Sequence, residues 1–295
     1  MRLEALHHVT MITADAQANV DFYAGTLGLR LVKKTVNFDQ PEAYHLYFGD
    51  EQGSPGSILT WFEFPGAARG RVGAGAIHLI QLSVASEGSL EFWAQRLGIT
   101  GASFEDYDGL AFELVVDDAN APLRAVHPEI PAEHAITGVW GARAYAPAGA
   151  PDDEEPFLTQ TLGFTHLGAN EYRLDGERRT VHWAYDPPPA AGAIQGAGSV
   201  HHIAWASQDA EHLEWRRRVH ETGVYVTEVR DRDYFRSIYF GEPRGVLFEI
   251  ATLSPGFAVD EDPAHLGQVL ALPDQHERLR AHLEHTLTPI ANPRT

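Results

Sequence analysis

One pattern comes round four times in this chain, and it constrains the fold more than any other feature. Residues 6–64 read as a strand over 6–12, a helix, and further strands over 30–38, 43–48 and 57–64. The helix has N-cap candidates at Asp15 and Asn19 and a stop at Gly28. The same order returns in 76–118, with a strand over 77–84, a helix over 90–97 and Gly98 as stop. It returns again in 136–186, with a helix near 156–162 and Gly163, and in 199–253, with a helix over 210–222 and Gly223. Each stretch is a βαβββ unit with one apolar face per strand, and such a unit buries that face only against its neighbours. The expected class is α+β, with curved mixed sheets built from four tandem modules. Dividing the chain at 145/146 gives an N-terminal half with modules 6–64 and 76–118, and a C-terminal half with modules 136–186 and 199–253. The stretch 146–155 reads as a loop inside the third module, and the Pro/Gly-rich 187–198 as a linker before the fourth. The tail 254–295 carries an expected helix over 274–285 and is expected to cover an edge or a mouth.

Two of the opening strands begin with nearly the same word, Leu6-His7-His8-Val9-Thr10 and Val200-His201-His202-Ile203-Ala204. The last closing strand, Leu247-Phe248-Glu249-Ile250-Ala251-Thr252, buries a carboxylate in an apolar run. An unpaired buried carboxylate costs several kcal/mol, so Glu249 calls for a cation or an arginine such as Arg232. One imidazole from each pair together with Glu249 would make the two-histidine, one-carboxylate face of a non-haem Fe(II) centre. Successive strand residues point to opposite faces, so one member of each pair is expected in the cleft. The residues by themselves leave open which one.

Composition removes whole classes of function. With 22 Lys and Arg against 41 Asp and Glu, the net charge is −19, which disfavours nucleic acid and anionic membranes. The absence of cysteine excludes disulfides, thiolate metal sites and cysteine nucleophiles. No apolar run nears the roughly 20 residues that span a bilayer. The first residues lead into a strand without a signal peptide's apolar core, so the expected compartment is the cytoplasm. There is no GxGxxG, P-loop or G-x-S-x-G.

Tandem βαβββ units with a histidine on an opening strand and a glutamate on a closing strand resemble the vicinal oxygen chelate superfamily. That group includes glyoxalase I, the bleomycin resistance proteins and the extradiol dioxygenases. The nearer likeness is to its ring-cleaving dioxygenases acting on hydroquinones. It is carried by the two His-His words, Gly28 through Asn37, Tyr44 through Asp50, Asp231 through Phe240, and Leu247 through Thr252. The resemblance implies two domains of that superfamily's type enclosing a metal cleft, with Fe(II), or Mn(II) in its place, held by His8, His202 and Glu249. It implies that His7, His201, Arg232 and Tyr239 surround the substrate and O2, with His201 shuttling a proton and Arg232 or Tyr239 holding an anionic oxygen. The expected partners are a small aromatic diol and O2, with exposed sheet edges offering a route to a homo-oligomer. One departure stands out: Gly241-Glu242-Pro243-Arg244-Gly245 displaces an arginine of the family pattern, so Arg244 inherits no role.

Two competing readings remain. In a glyoxalase-like isomerase or lyase, His8, Glu63, His78 and Glu113 would make a four-ligand site, with His78 aligned to His202 and Glu113 to Glu249. A binding protein for small aromatic compounds would have a deep aromatic pocket without a tightly held ion. His45, His127, His134 and His182 read as structural or surface residues.

Overall fold

The structure is a computed structural model that describes residues 1–150 and 155–293. Part of the 146–155 loop, residues 151–154, thus lies outside the described residues. The first module forms β1 (Ala5–Thr13), α1 (Ala16–Val20), β2 (Arg30–Val36), β3 (Tyr44–Gly49) and β4 (Ile58–Glu63). Asp15 caps α1 by accepting from Ala18 N at 3.0 Å. The chain then widens into a π-type turn, Asp21–Thr26, before Gly28 reverses it at φ +72°. The second module gives β5 (Ile77–Val84), α2 (Glu87–Leu97), β6 (Ser103–Glu105) and β7 (Ala111–Val116), one strand fewer than the pattern anticipates.

The third module contributes β8 (Gly138–Tyr145), β9 (Thr165–Gly168), β10 (Glu171–Asp175) and β11 (Thr180–Asp186), with a π-type turn in place of its helix. The fourth contributes β12 (Val200–Ser207), α3 (His212–Glu221), β13 (Arg230–Asp231), β14 (Arg236–Gly241) and β15 (Leu247–Thr252). Between α3 and β14 the chain forms only β13 and a single bridge from Val226 to Phe240. In the tail, α4 (Arg280–Thr286) follows a 3-10 turn. No helix among the described residues is long and apolar enough to cross a membrane.

Two curled mixed sheets result. The first has the order β13-β14-β15-β12-β1-β4-β3-β2, and the second β6-β7-β5-β8-β11-β10-β9. The first sheet therefore joins modules one and four, the second joins modules two and three, and both cross the expected division at 145/146. The seams that make this possible are the antiparallel pairs β1–β12 and β5–β8. A shared apolar core lies between the sheets and under the helices, with Trp61, Trp93, Trp183, Trp205 and Trp215 all buried.

The turn that departs from the family word is part of this core rather than of a mouth. Arg244 is buried, donates from Nε to Glu155 at 3.2 Å and from Nη1 to Asn170 at 2.8 Å, and lies 4.5 Å over the Tyr185 ring. Glu242 beside it accepts from Tyr185 OH at 2.9 Å and from the backbone N–H of Arg244 and Val246. Burial pushes the Glu242 carboxyl up to about 7, against the opposing pull of those donors. The unfolded chain therefore ionises this group at a lower pH than the folded one. Its contribution to stability is full below the ordinary value of 4.5 and is lost as pH rises through about 7. Denaturation midpoints taken between pH 5 and 8 should fall with pH from this group, and Glu242→Gln should flatten that slope; an unchanged slope would show that Glu242 is ionised throughout.

Candidate metal centre

β1 and β12 lie side by side at the middle of the first sheet, and each is interrupted once. Leu6 pairs with Trp205 and His8 with Ala204, so His7 is the extra residue of a β-bulge. Thr10 pairs with His202 and Met11 with Val200, so His201 is the extra residue of a second bulge, on the other strand. Strict alternation would put the members of each pair on opposite faces. The bulge instead brings His7 round beside His8, and both rings pack on Phe235, at 4.8 and 5.3 Å between centroids. His7 Nδ1 lies 2.9 Å from His8 Nδ1, and His201 Nδ1 lies 2.7 Å from His202 Nδ1. Each pair thus forms one unit, with the first imidazole holding the second at Nδ1.

The opposite nitrogens converge. His8 Nε2 is 3.3 Å from His202 Nε2, and Glu249 Oε2 is 2.8 Å from His202 Nε2 and 3.4 Å from His8 Nε2. Glu249 reaches this point because β15 runs parallel to β12 with Ala204 opposite Glu249, while Ala204 also faces His8. Ser237 donates to the other carboxylate oxygen, Oε1. Oε2 is buried and takes no aligned hydrogen bond from any described residue. All three side chains are buried, and theirs is the one group of three or more metal-ligating side chains among the described residues.

Charge explains how a carboxylate survives there. Burial pushes Glu249 up, but His8 and His202 outweigh it and hold the carboxyl well below its usual range. Burial lowers His202, and it drives His7 down to about 3 with help from His8. His201 falls to about 4 through burial and His202. Burial thus favours the neutral imidazole in His7, His201 and His202. His8 Nε2, His202 Nε2 and Glu249 Oε2 thus face one point, and with the proton of each inner ring at Nδ1 they would form the donor set of a divalent transition ion.

Around this point lies a cleft lined in part by Thr10, Phe38, Phe62 and Phe235. Tyr239 pairs with Glu249 across β14–β15, its ring 5.6 Å from His202, and its hydroxyl accepts from Arg232 Nε at 3.3 Å. Burial raises the Tyr239 phenol, which keeps its proton. Arg232 also reaches Asp39 at 3.4 Å and lies 5.4 Å over Phe38. The facing wall carries Phe62, Tyr47 and His45. On the tail, Phe257 packs at 5.0 Å on Tyr47, a residue of this wall, and at 5.2 Å on Tyr234.

His8, His202, Glu249, Arg232 and Tyr239 thus come together around one cleft, with His7 directly behind His8. His201 stands behind His202 and lines a separate pocket with Ser199 and Leu247. His45, read from the sequence as structural or surface, lies in the cleft. The available signal was the alternation in β3, which puts His45 and Tyr47 on one face and Tyr44, Leu46 and Phe48 on the other.

The four residues of the isomerase reading do not meet. Glu63 accepts from Ala16 N at 3.1 Å, His78 pairs with Asp186 at 2.8 Å, and Glu113 accepts from Gln81 at 2.6 Å. Register also corrects the alignment of His78. Gln81 faces Glu113 across β5–β7 as Ala204 faces Glu249, so Leu79 takes the place of His202 and His78 that of His201. Gly141, opposite Gln81, takes the place of His8. The second sheet retains the glutamate and lacks both imidazoles.

Comparison with known proteins agrees with this architecture. The family model "Glyoxalase/Bleomycin resistance protein/Dioxygenase superfamily" matches residues 5–107 and again 148–250. The chain is 40% identical to the "Putative ring-cleaving dioxygenase MhqO" of Bacillus subtilis, over 97% of this chain and 96% of that protein. It is 33% identical to the "Chlorohydroquinone/hydroquinone 1,2-dioxygenase" of Sphingobium indicum, over 97% and 96%. A crystal structure of a "putative dioxygenase" from Bacillus subtilis superposes with a TM-score of 0.89 at 37% identity, covering 98% of both chains. Maize glyoxalase I shares the fold at 14% identity, with a TM-score of 0.58 over 85% of this chain and 92% of that one. With both halves matched by one model and near-complete relatives at this identity, the chain belongs to the glyoxalase/bleomycin resistance protein/dioxygenase superfamily.

Proposed function

We propose that the chain is a ring-cleaving dioxygenase that inserts O2 into a hydroquinone, with Fe(II), or Mn(II) in its place, held by His8 Nε2, His202 Nε2 and Glu249 Oε2. The observation that carries this reading is Glu249 Oε2, a buried carboxylate oxygen without an aligned donor, set beside the Nε2 atoms of His8 and His202. A divalent ion there satisfies all three groups at once. When bound, the ion supplies acidification of a coordinated phenol and a common template for the ring and O2.

The protein's own groups do the rest. His7 and His201 accept at Nδ1 and so keep the ligand imidazoles in the tautomer that leaves Nε2 free. Their low pKa values suit this holding role better than storage of a proton at neutral pH. Arg232 and the Tyr239 hydroxyl present N–H and O–H donors on one wall, where negative charge develops on oxygen during the reaction. Phe62, Phe38 and Phe235 wall the cleft and keep water from a flat ring. An oxygen electrode tests the proposal. Protein loaded anaerobically with Fe(II) or Mn(II) should consume O2 on addition of hydroquinone, in equal molar amount with the diol. Absence of uptake with either ion, in protein that holds metal, would overturn it.

A further inference from the structure

We infer that His45 is a substrate-positioning residue, one that donates from Nε2–H to the ring oxygen lying away from the metal and so selects para-diols over rings with a single oxygen. This deepens the proposed dioxygenase reading and rests on it.

His45 stands on β3 opposite Phe62 of β4, and the curl of the sheet brings both into the cleft that holds His8, His202 and Arg232. It is 7% exposed, and its Nε2 is buried without a hydrogen-bond partner among the described residues. A buried polar atom without a partner is costly, so its presence beside a ligand cleft calls for a partner that arrives with the ligand. The ring is held on both sides, 4.1 Å from Tyr47 and 4.3 Å from Phe62 between centroids. It is not free to turn Nε2 elsewhere.

The proton's position follows from Tyr47. The Tyr47 hydroxyl lies 3.0 Å from His45 Nδ1, and burial raises its pKa well above 10, so it remains O–H. With no other acceptor for that hydroxyl among the described residues, it donates to Nδ1, and the imidazole proton sits on Nε2. His45 thus presents a neutral N–H donor to the cleft, on the wall facing Tyr239 and Arg232. A hydroquinone with one oxygen on the metal carries its second oxygen to the far side of the ring, where an acceptor can meet this donor. A catechol, with both oxygens at the metal, leaves the donor unsatisfied.

The test is anaerobic binding of hydroquinone and of phenol to the metal-loaded protein by calorimetry, beside oxygen uptake. Wild type should prefer hydroquinone by about tenfold, the discrimination expected of one buried hydrogen bond. In His45→Phe that ratio should collapse to about one through loss of hydroquinone affinity. Tyr47→Phe, which leaves the imidazole in place but releases its tautomer, should lose part of the preference, as a purely structural role for His45 would not require. A preference that persists in His45→Phe, with wild type still consuming O2, overturns the inference and leaves the dioxygenase reading standing. No oxygen uptake by wild type overturns both.

Discussion

Glu249→Ala is expected to abolish oxygen consumption with hydroquinone, a loss on the order of 10³-fold or more, because the ion's contribution to such chemistry amounts to several kcal/mol. The size of the effect follows from how little else could replace this side chain. Among the described residues Glu249 is the one carboxylate that meets His8 and His202, and Ser237 holds its Oε1 while Oε2 faces the two imidazoles. Alanine leaves two neutral rings and no charge to balance a dication. Glu249→Gln keeps the volume and one oxygen but not the charge, and should fall between the two. Steady-state oxygen uptake, with the thermal midpoint as a check of folding, separates these outcomes. Wild-type turnover in folded Glu249→Ala would mean that the reacting centre lies elsewhere.

The second large effect concerns stability. Lys33 on β2 is fully buried, and its ammonium donates to Asp260 at 2.6 Å and to Glu261, both on the tail, while lying 4.7 Å over Tyr234. Glu261 is nearly buried, whereas Asp260 is partly in water. Removing one member of a buried ion pair strands the other, at a cost of about 3–5 kcal/mol. Glu261→Ala should therefore destabilise the protein by about 3 kcal/mol, the low end of that range because Asp260 remains. Lys33→Met placed on the Glu261→Ala background should recover part of the loss, since it removes the stranded charge. Denaturant unfolding of the single and double variants completes the cycle. A double variant less stable than Glu261→Ala would show that Lys33 contributes by packing rather than by charge.

The same contacts give the tail its place in the site. The ion pair anchors the segment from which Phe257 reaches Tyr234 and Tyr47, the latter a residue that lines the cleft. The sequence placed this tail over an edge or a mouth without saying which, because a Pro-rich stretch with scattered acids carries no period that points to a partner.

What was legible in the chain was local. Strand words, the glycine stops and the buried glutamate follow from alternation, left-handed backbone needs and the cost of burying charge. The doubled His-His word marked the two strands that meet at the centre. Which strands pair over long range was not legible, and the first sheet joins β1 to β12 nearly two hundred positions away. The two bulges were hidden for the same reason. His7 and His201 become extra residues only relative to the partner strand, and no property of either word reveals that by itself. His78 was misaligned by one position, since similar words do not fix a register that Gln81 and Glu113 set in three dimensions. His45 was passed over because one histidine in a strand is usually a satisfied core residue. Its orphaned nitrogen appears only once the sheet curls and brings β3 to the cleft.

The central claim is that the ion sits on His8, His202 and Glu249. Elemental analysis of anaerobically purified wild type, Glu249→Ala and His78→Ala tests it most directly. The account predicts roughly one Fe or Mn per chain in wild type, as a three-ligand site holding a single ion requires. It predicts the same in His78→Ala and background in Glu249→Ala. Metal kept in Glu249→Ala and lost from His78→Ala would contradict it and move the centre to the second sheet.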